Sequence, residues 1–381
     1  MNDDHATWGI VSSSPPTACG IATFTSALGQ ALMSRSEEVN LIRVLQGDDA
    51  PPTSPLRVIA ELLADDHASI HRAARALNRC DVVLVQHEFG LYGGIDGGDV
   101  VGLMRHVEVP VMTVLHTVLP SPSQHQREVM NEVIAHSTFA IVMTDAAERT
   151  LRRHYQVGDT PVRVIPHGAA LGVLPMTFDP NANPILLTWG LLGPGKGIEW
   201  VIDAMALLRD IVPRPHYVVA GRTHPKVLAY EGELYRHSLE RRVQENGVSD
   251  MVYFDNNYRT PASLKDLIGS ASVVILPYDS PDQATSGVLV DAIAAGRPVI
   301  ATSFPHSVEL LSTGAGIVVD HRNPRALSAG IRTVIEDPTL ALSMSAAAQR
   351  IAPGLSWDAV AQSYVELARE LEPFTSVPMS A

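Results

Sequence analysis

Short runs of β-branched and other apolar residues recur along this chain, each followed by an amphipathic stretch of helical length. Few folds accept that alternation. Parallel strands cannot be joined by tight hairpins, so each pair needs a crossover, and a helix is the usual one. The first set of strands is expected at 8–12, 39–44, 81–87, 109–116, 140–144 and 162–166, and a second set at 185–189, 217–220, 252–254, 273–276, 298–301 and 316–319. A length of 381 residues exceeds one ordinary α/β core and suits two. Between the sets, 171–184 is rich in Pro, Asn and Gly and lacks periodicity, as a linker would. The expected boundary is near Asp179, giving domains 1–178 and 179–352 followed by a helix and tail over 353–381. That helix, over 356–371, shows an apolar face at Val360, Tyr364, Leu367 and Leu371. In two-lobed folds of this kind it is expected to pack back on the first domain.

Composition narrows the classes of function. The formal net charge of -13 argues against a broad nucleic-acid surface or a wide basic patch for anionic lipid. No apolar run approaches the roughly 18 residues that would span a bilayer. The N-terminus is acidic and polar, with no secretory pattern, so a cytoplasmic location is expected. Cys19 and Cys80 form neither a disulfide framework nor a zinc-ligand spacing. Lysine is scarce: Lys196, Lys226 and Lys265 are the only three, so the position of each invites a reason.

In doubly wound sheets ligands bind beyond the carboxyl ends of the strands. After the run ending at Pro277 comes a polar loop through Gln283 and Ser286, then Gly287, Val288 and an apolar helix carrying Asp291. A glycine-containing loop that opens a helix presents backbone N–H groups and the positive end of a dipole, a site suited to a diphosphate. From one turn further on, Asp291 could accept hydrogen bonds from a ribose. Earlier, 187–197 is a strand followed by a glycine-rich loop with Lys196 near its end. Arg222 follows the strand at 217–220, and a planar guanidinium suits a phosphate.

The run 286–302 resembles the donor-site signature of the retaining glycosyltransferase family 4, and 187–197 is similar to that family's strand, turn and Lys-Gly motif. The resemblance implies the GT-B fold: α/β, two Rossmann-like doubly wound domains facing across a cleft. In that family two glutamates eight positions apart contact the transferred sugar and the ribose. Here Gln283 stands at the first and Asp291 at the second. Lys196 falls on the lysine that neutralises the leaving diphosphate, while Leu191 stands where an arginine is usual, which makes Arg222 the candidate substitute.

In the first half, 13–23 resembles the family's first loop, whose backbone approaches the diphosphate, and Gly20 is the residue singled out there. His116, at a strand end, matches a histidine near the transferred sugar, implying a hydrogen bond to a sugar hydroxyl. His87, Glu88 and Tyr92 lie in a strand-end loop that mixes aromatic, polar and glycine residues, a composition suited to binding an acceptor sugar. His167 replaces an asparagine of the family's strand-end turn.

The expected reaction moves a hexosyl group, mannosyl slightly favoured over glucosyl, from a GDP- or UDP-hexose to a glycan, lipid or polyol hydroxyl with retention. No cofactor or essential metal is expected, because the helix dipole, Lys196 and an arginine would carry the leaving-group charge. His67 and His71 sit at i and i+4 but have no third ligand near them in sequence, and Asp48, Asp49 and 96–99 have the look of turns. Two other readings stand beside this one: a nucleotide-sugar binding protein without turnover, and another GT-B enzyme such as a phosphorylase or epimerase.

Overall fold

The computed structural model describes residues 5–371 apart from 18, 46–49, 171, 177, 178, 180, 258 and 260. The expected turn at Asp48 and Asp49 lies outside the described residues. The chain divides into two compact units, one of Met1–Gly168 together with Trp357–Ala381, the other of Ala169–Ser356.

The first unit holds a parallel sheet of β1 (Thr7–Ser12), β2 (Glu38–Leu45), β3 (Arg57–Leu63), β4 (Val82–His87), β5 (Val111–Leu115), β6 (Phe139–Val142) and β7 (Val162–Val164), in the order β3-β2-β1-β4-β5-β6-β7. β1 pairs with β2 on one side and β4 on the other, Trp8 lying opposite both Val39 and Val82. The direction of winding reverses between β1 and β4. Their side chains are buried on both faces, the hallmark of a sheet covered twice. Strand β3 was not expected from the sequence. It lies at the sheet edge, mostly half-buried or exposed, and its Ala, Glu and Leu residues give no alternating pattern.

The helix Trp357–Arg369 belongs to this unit's core. Val360, Ala361 and Tyr364 are at most 1% exposed and cluster with Trp8, Phe24 and Leu28. The expected packing of the last helix on the first domain is therefore found. Gly168 has to be glycine for the same reason, since a Cβ there would lie 2.3 Å from the Trp357 ring.

The second unit repeats the winding with β8 (Ile185–Trp189), β9 (His216–Ala220), β10 (Val252–Asp255), β11 (Val273–Leu276), β12 (Val299–Thr302) and β13 (Gly316–Val319), ordered β10-β9-β8-β11-β12-β13 and parallel throughout. Here the reversal falls between β8 and β11. The division between units precedes the Pro- and Asn-rich stretch instead of falling at Asp179. Part of that stretch is pinned to the second unit by Arg297, whose side chain is buried and donates to the carbonyls of Leu174 at 3.0 Å, Pro175 at 2.5 Å and Ala271 at 3.3 Å. Leu174 itself is 8% exposed and joins the apolar cluster around β11 and β12. Three carbonyls accept from the two terminal nitrogens of this buried cation and fasten the chain there, while its Nε has no acceptor among the described residues.

Candidate functional site

In the second unit the loop after β8 reaches over the carboxyl ends of its neighbours because two glycines allow it. Gly197 has φ +68°, and a Cβ there would sit 1.8 Å from the Pro277 carbonyl oxygen. Gly221 has φ +153°, and its Cβ would sit 1.8 Å from that of Gly190. No L side chain fits either place. The loop that follows β11 is joined to this one by the Asp279 N–H, which donates to the Gly195 carbonyl at 2.8 Å.

Lys196 is carried by that arrangement onto the face of Tyr278, its Nζ 4.8 Å from the ring centroid. Burial pulls its ammonium below the usual lysine range. The Tyr278 ring is 2% exposed; burial pushes its hydroxyl up to about 12, with the Ser286 side chain pulling the other way. Ser286 is the N-cap of the helix Gly287–Ala294, and its hydroxyl accepts from the Leu289 N–H at 3.2 Å. The backbone N–H of Ser286 donates to His306 Nδ1 at 2.9 Å, which places the His306 proton on Nε2 when the ring is neutral.

The other expected donor residues lie on the same loop and helix. The Gln283 side chain turns back to donate to the Thr285 carbonyl at 3.1 Å. Gly287 opens the helix, and Val288 faces the loop after β8, its Cγ2 3.9 Å from where a Cβ on Gly190 would be. Asp291 Oδ1 accepts the Ala170 N–H at 3.2 Å. Burial raises its carboxyl to about 6, with that hydrogen bond pulling the other way. Arg222 has an exposed side chain and a carbonyl that accepts the Leu192 N–H at 2.8 Å. His224, two residues on, is shifted down by burial first and then by Lys226 and Lys196.

In the first unit, histidines stand at the carboxyl ends of β4, β5 and β7. His87 is fully buried, neither ring nitrogen has a hydrogen-bond partner, and desolvation lowers it to about 4. His116 Nε2 lies 2.6 Å from Gln86 Oε1, an oxygen that can only accept, so Nε2 carries the proton and Nδ1 keeps its lone pair. Burial lowers His116 to about 3, with His167 and His87 adding to the effect. His167 falls to about 4 by burial, opposed by its bond to the Gly168 carbonyl. The Phe24 ring meets His116, His167 and Trp357 edge-on at centroid distances of 4.9, 5.1 and 4.9 Å. All three histidines are thereby held neutral.

Glu88 accepts from the Thr117 hydroxyl and, at 2.9 Å, from the Phe89 N–H. Tyr92 points inward: it is 6% exposed, and its hydroxyl donates to the carbonyls of Gln86 at 2.6 Å and Val11 at 3.3 Å. In this conformation its side chain ties the loop to β1 and β4 and offers no surface to a ligand. Gly20 opens the helix Gly20–Met33, whose N-cap, Cys19, makes no capping hydrogen bond through its side chain. A Cβ on Gly20 would meet nothing within 4 Å, so no local clash demands a glycine there.

Within the second unit the structure thus brings together Lys196, Ser286, Gly287 and Val288, with Arg222 on the adjoining loop. Within the first, His87 and His116 share one end of the sheet. His306 and Arg236 were missed by sequence reasoning. His306 carried a usable signal, lying just past a strand end in 302–306. Arg236 had none, since it sits inside a helix and acts on two loops distant in sequence. Among the described residues, no group of three His, Cys, Asp or Glu is placed to hold a metal ion, and no helix is long and apolar enough to cross a membrane.

Residues 177–351 match the family model described as Glycosyl transferases group 1. Over 73% of its length the chain is 25% identical to 68% of the D-inositol 3-phosphate glycosyltransferase of Nocardiopsis dassonvillei. It is 26% identical, over 54% of its length and 60% of the relative's, to the lipopolysaccharide core biosynthesis mannosyltransferase LpsB of Rhizobium meliloti. The curated relatives are matched over 31% to 68% of their own length. Among solved structures, Anabaena Alr3699/HepE in complex with UDP and glucose superposes with a TM-score of 0.73 at 17% identity, covering 96% of this chain and 100% of that one. At that identity the likeness is one of fold, and the fold is GT-B with its two Rossmann-like units. The glycosyltransferase class expected from the sequence is the class of the matched family model and of these relatives.

Proposed function

We propose that the protein is a retaining hexosyltransferase that takes its sugar from a nucleoside diphosphate hexose and passes it to an acceptor hydroxyl. One observation carries the reading. The Lys196 ammonium lies over the Tyr278 ring, and Ser286, which caps Gly287–Ala294, acts on that tyrosine's hydroxyl from the other side, so a cation and a helix N-terminus converge on the space beyond β8 and β11. An anion held there gains from both.

On this reading the diphosphate lies against the start of Gly287–Ala294 with Lys196 and Arg222 as its cations, and the second Asp291 oxygen takes the ribose hydroxyls. Gln283 supplies a donor and an acceptor for the sugar. In the first unit, the neutral His116 offers its Nδ1 lone pair to a sugar hydroxyl and Glu88 serves the acceptor, while His87, fully buried, offers the acceptor no surface. The bond from the anomeric carbon to the diphosphate oxygen breaks as the bond to the acceptor oxygen forms on the same face, and the departing phosphate takes the acceptor proton. Stabilisation of that leaving group lowers most of the barrier.

Mannose is the first donor sugar to test, given the name of LpsB, with UDP-glucose beside it; polyol phosphates are the first acceptors, given the relatives named for D-inositol 3-phosphate. The test is release of UDP or GDP from a panel of nucleotide sugars with a pooled acceptor set, with product anomers assigned by NMR. Retained configuration is expected. Nucleotide sugars that bind without ever releasing a nucleoside diphosphate would mark a binding protein instead.

A further inference from the structure

Arg236 lies in the helix Leu234–Glu245 with its side chain 5% exposed, yet it forms no part of the apolar interior. Its guanidinium donates to the Gly221 carbonyl at 2.7 Å and to Asn256 Oδ1, and its Nε lies 3.4 Å from Glu233 Oε2. The same Glu233 oxygen accepts from the Thr223 hydroxyl. Gly221 and Thr223 are the residues on either side of Arg222. Both flanks of Arg222 are therefore fixed by one ion pair, and its own carbonyl is fixed by the Leu192 N–H at 2.8 Å.

Elementary energetics say this arrangement is not incidental. A buried guanidinium is costly unless its donors are used, and Arg236 spends them on a loop rather than on neighbouring helices. The loop it grips has no side chain at Gly221 to hold it by packing, and the following helix, Pro225–Glu231, buries none of its residues.

We infer that Glu233 and Arg236 are positioning residues that aim Arg222 at the diphosphate of the donor, a role that rests on the donor site proposed above. The ligand group they serve is the second phosphate, so their effect separates nucleoside diphosphates from monophosphates. A merely structural role would weaken both alike.

The test is titration of UDP, GDP, UMP and GMP into the full chain and into R222A, E233Q, R236A and the R222A/R236A double variant, with thermal unfolding recorded for each. In R222A the preference for diphosphate over monophosphate is expected to fall by about tenfold, the scale of one charge-assisted bond lost. E233Q and R236A should move the preference the same way, and the double variant should fall no further than R222A alone. Multiplying effects in the double variant would overturn the inference, as would equal weakening of mono- and diphosphate binding. An unchanged preference in R222A removes Arg222 from the diphosphate and the inference with it. If no nucleotide binds the wild-type chain, the donor site itself is what fails. Should R236A not fold, E233Q carries the decision, because Glu233 is 40% exposed and its replacement is isosteric.

Discussion

In the proposed donor site Lys196 and Asp291 would each act through their burial. Burial pulls the Lys196 ammonium below its usual range, and a diphosphate bound beside it would restore the charge. Lys196→Ala should therefore cut transfer by about 100-fold or more with unfolding temperature unchanged; a rate within a few-fold of wild type would remove this lysine from the chemistry. Asp291 titrates near 6, above the ordinary carboxylate value. Because the folded form holds its proton more tightly, this group's contribution to stability falls as pH rises through about 4 to 6. Donor affinity should run the other way, strengthening as the carboxylate ionises and levelling above about 7. Isothermal titration of the donor at several pH values checks this, and Asp291→Asn should flatten that limb. Both residues were singled out in the sequence from their place in the strand-loop-helix pattern. Tyr278, which joins Lys196 to Ser286, was not given a role, because nothing local says that residues at 196, 278 and 286 share one ring.

Among the elements, strands buried on both faces were legible because an unbroken β-branched run has few other homes. The edge strand β3 was not, since a strand covered poorly on its sides keeps no pattern to find. The last helix was visible by its period, and its packing gives a contrast worth measuring. Tyr364 is fully buried and its hydroxyl has no hydrogen-bond partner. Tyr364→Phe removes an unsatisfied polar atom and should leave stability equal or slightly higher. Tyr364→Ala should cost about 3–5 kcal/mol through the cavity it leaves. Denaturant unfolding distinguishes these, and a large loss in the Phe variant would mean the hydroxyl is bonded after all.

For the molecule as a whole, two sheets of the same winding follow from one repeated sequence rhythm, and each puts its expected site residues beyond the carboxyl ends of its strands. On the proposed reading the helix dipole, Lys196 and Arg222 carry the leaving-group charge, and we propose that turnover needs no divalent ion. Turnover should stay within about twofold after exhaustive chelation; a rate that collapses with EDTA and returns with magnesium or manganese would contradict the metal-free proposal. The boundary between units escaped the sequence because composition marked a linker where Arg297 in fact fastens the chain. Proline and asparagine report the absence of regular structure, which is not the same as freedom.

The first unit is completed by a helix that the chain reaches only after all of the second. On the ribosome, Trp8, Phe24 and Leu28 emerge early and wait through nearly two hundred further residues, 169–356, for Val360 and Tyr364 to close over them. Until 357–371 have been made, the nascent first unit is expected to keep this apolar face uncovered, the kind of surface that aggregates or recruits chaperones. A gene fragment ending at 168 should yield aggregates, whereas one in which the codons for 357–371 are moved ahead of β1 should express a free-standing unit.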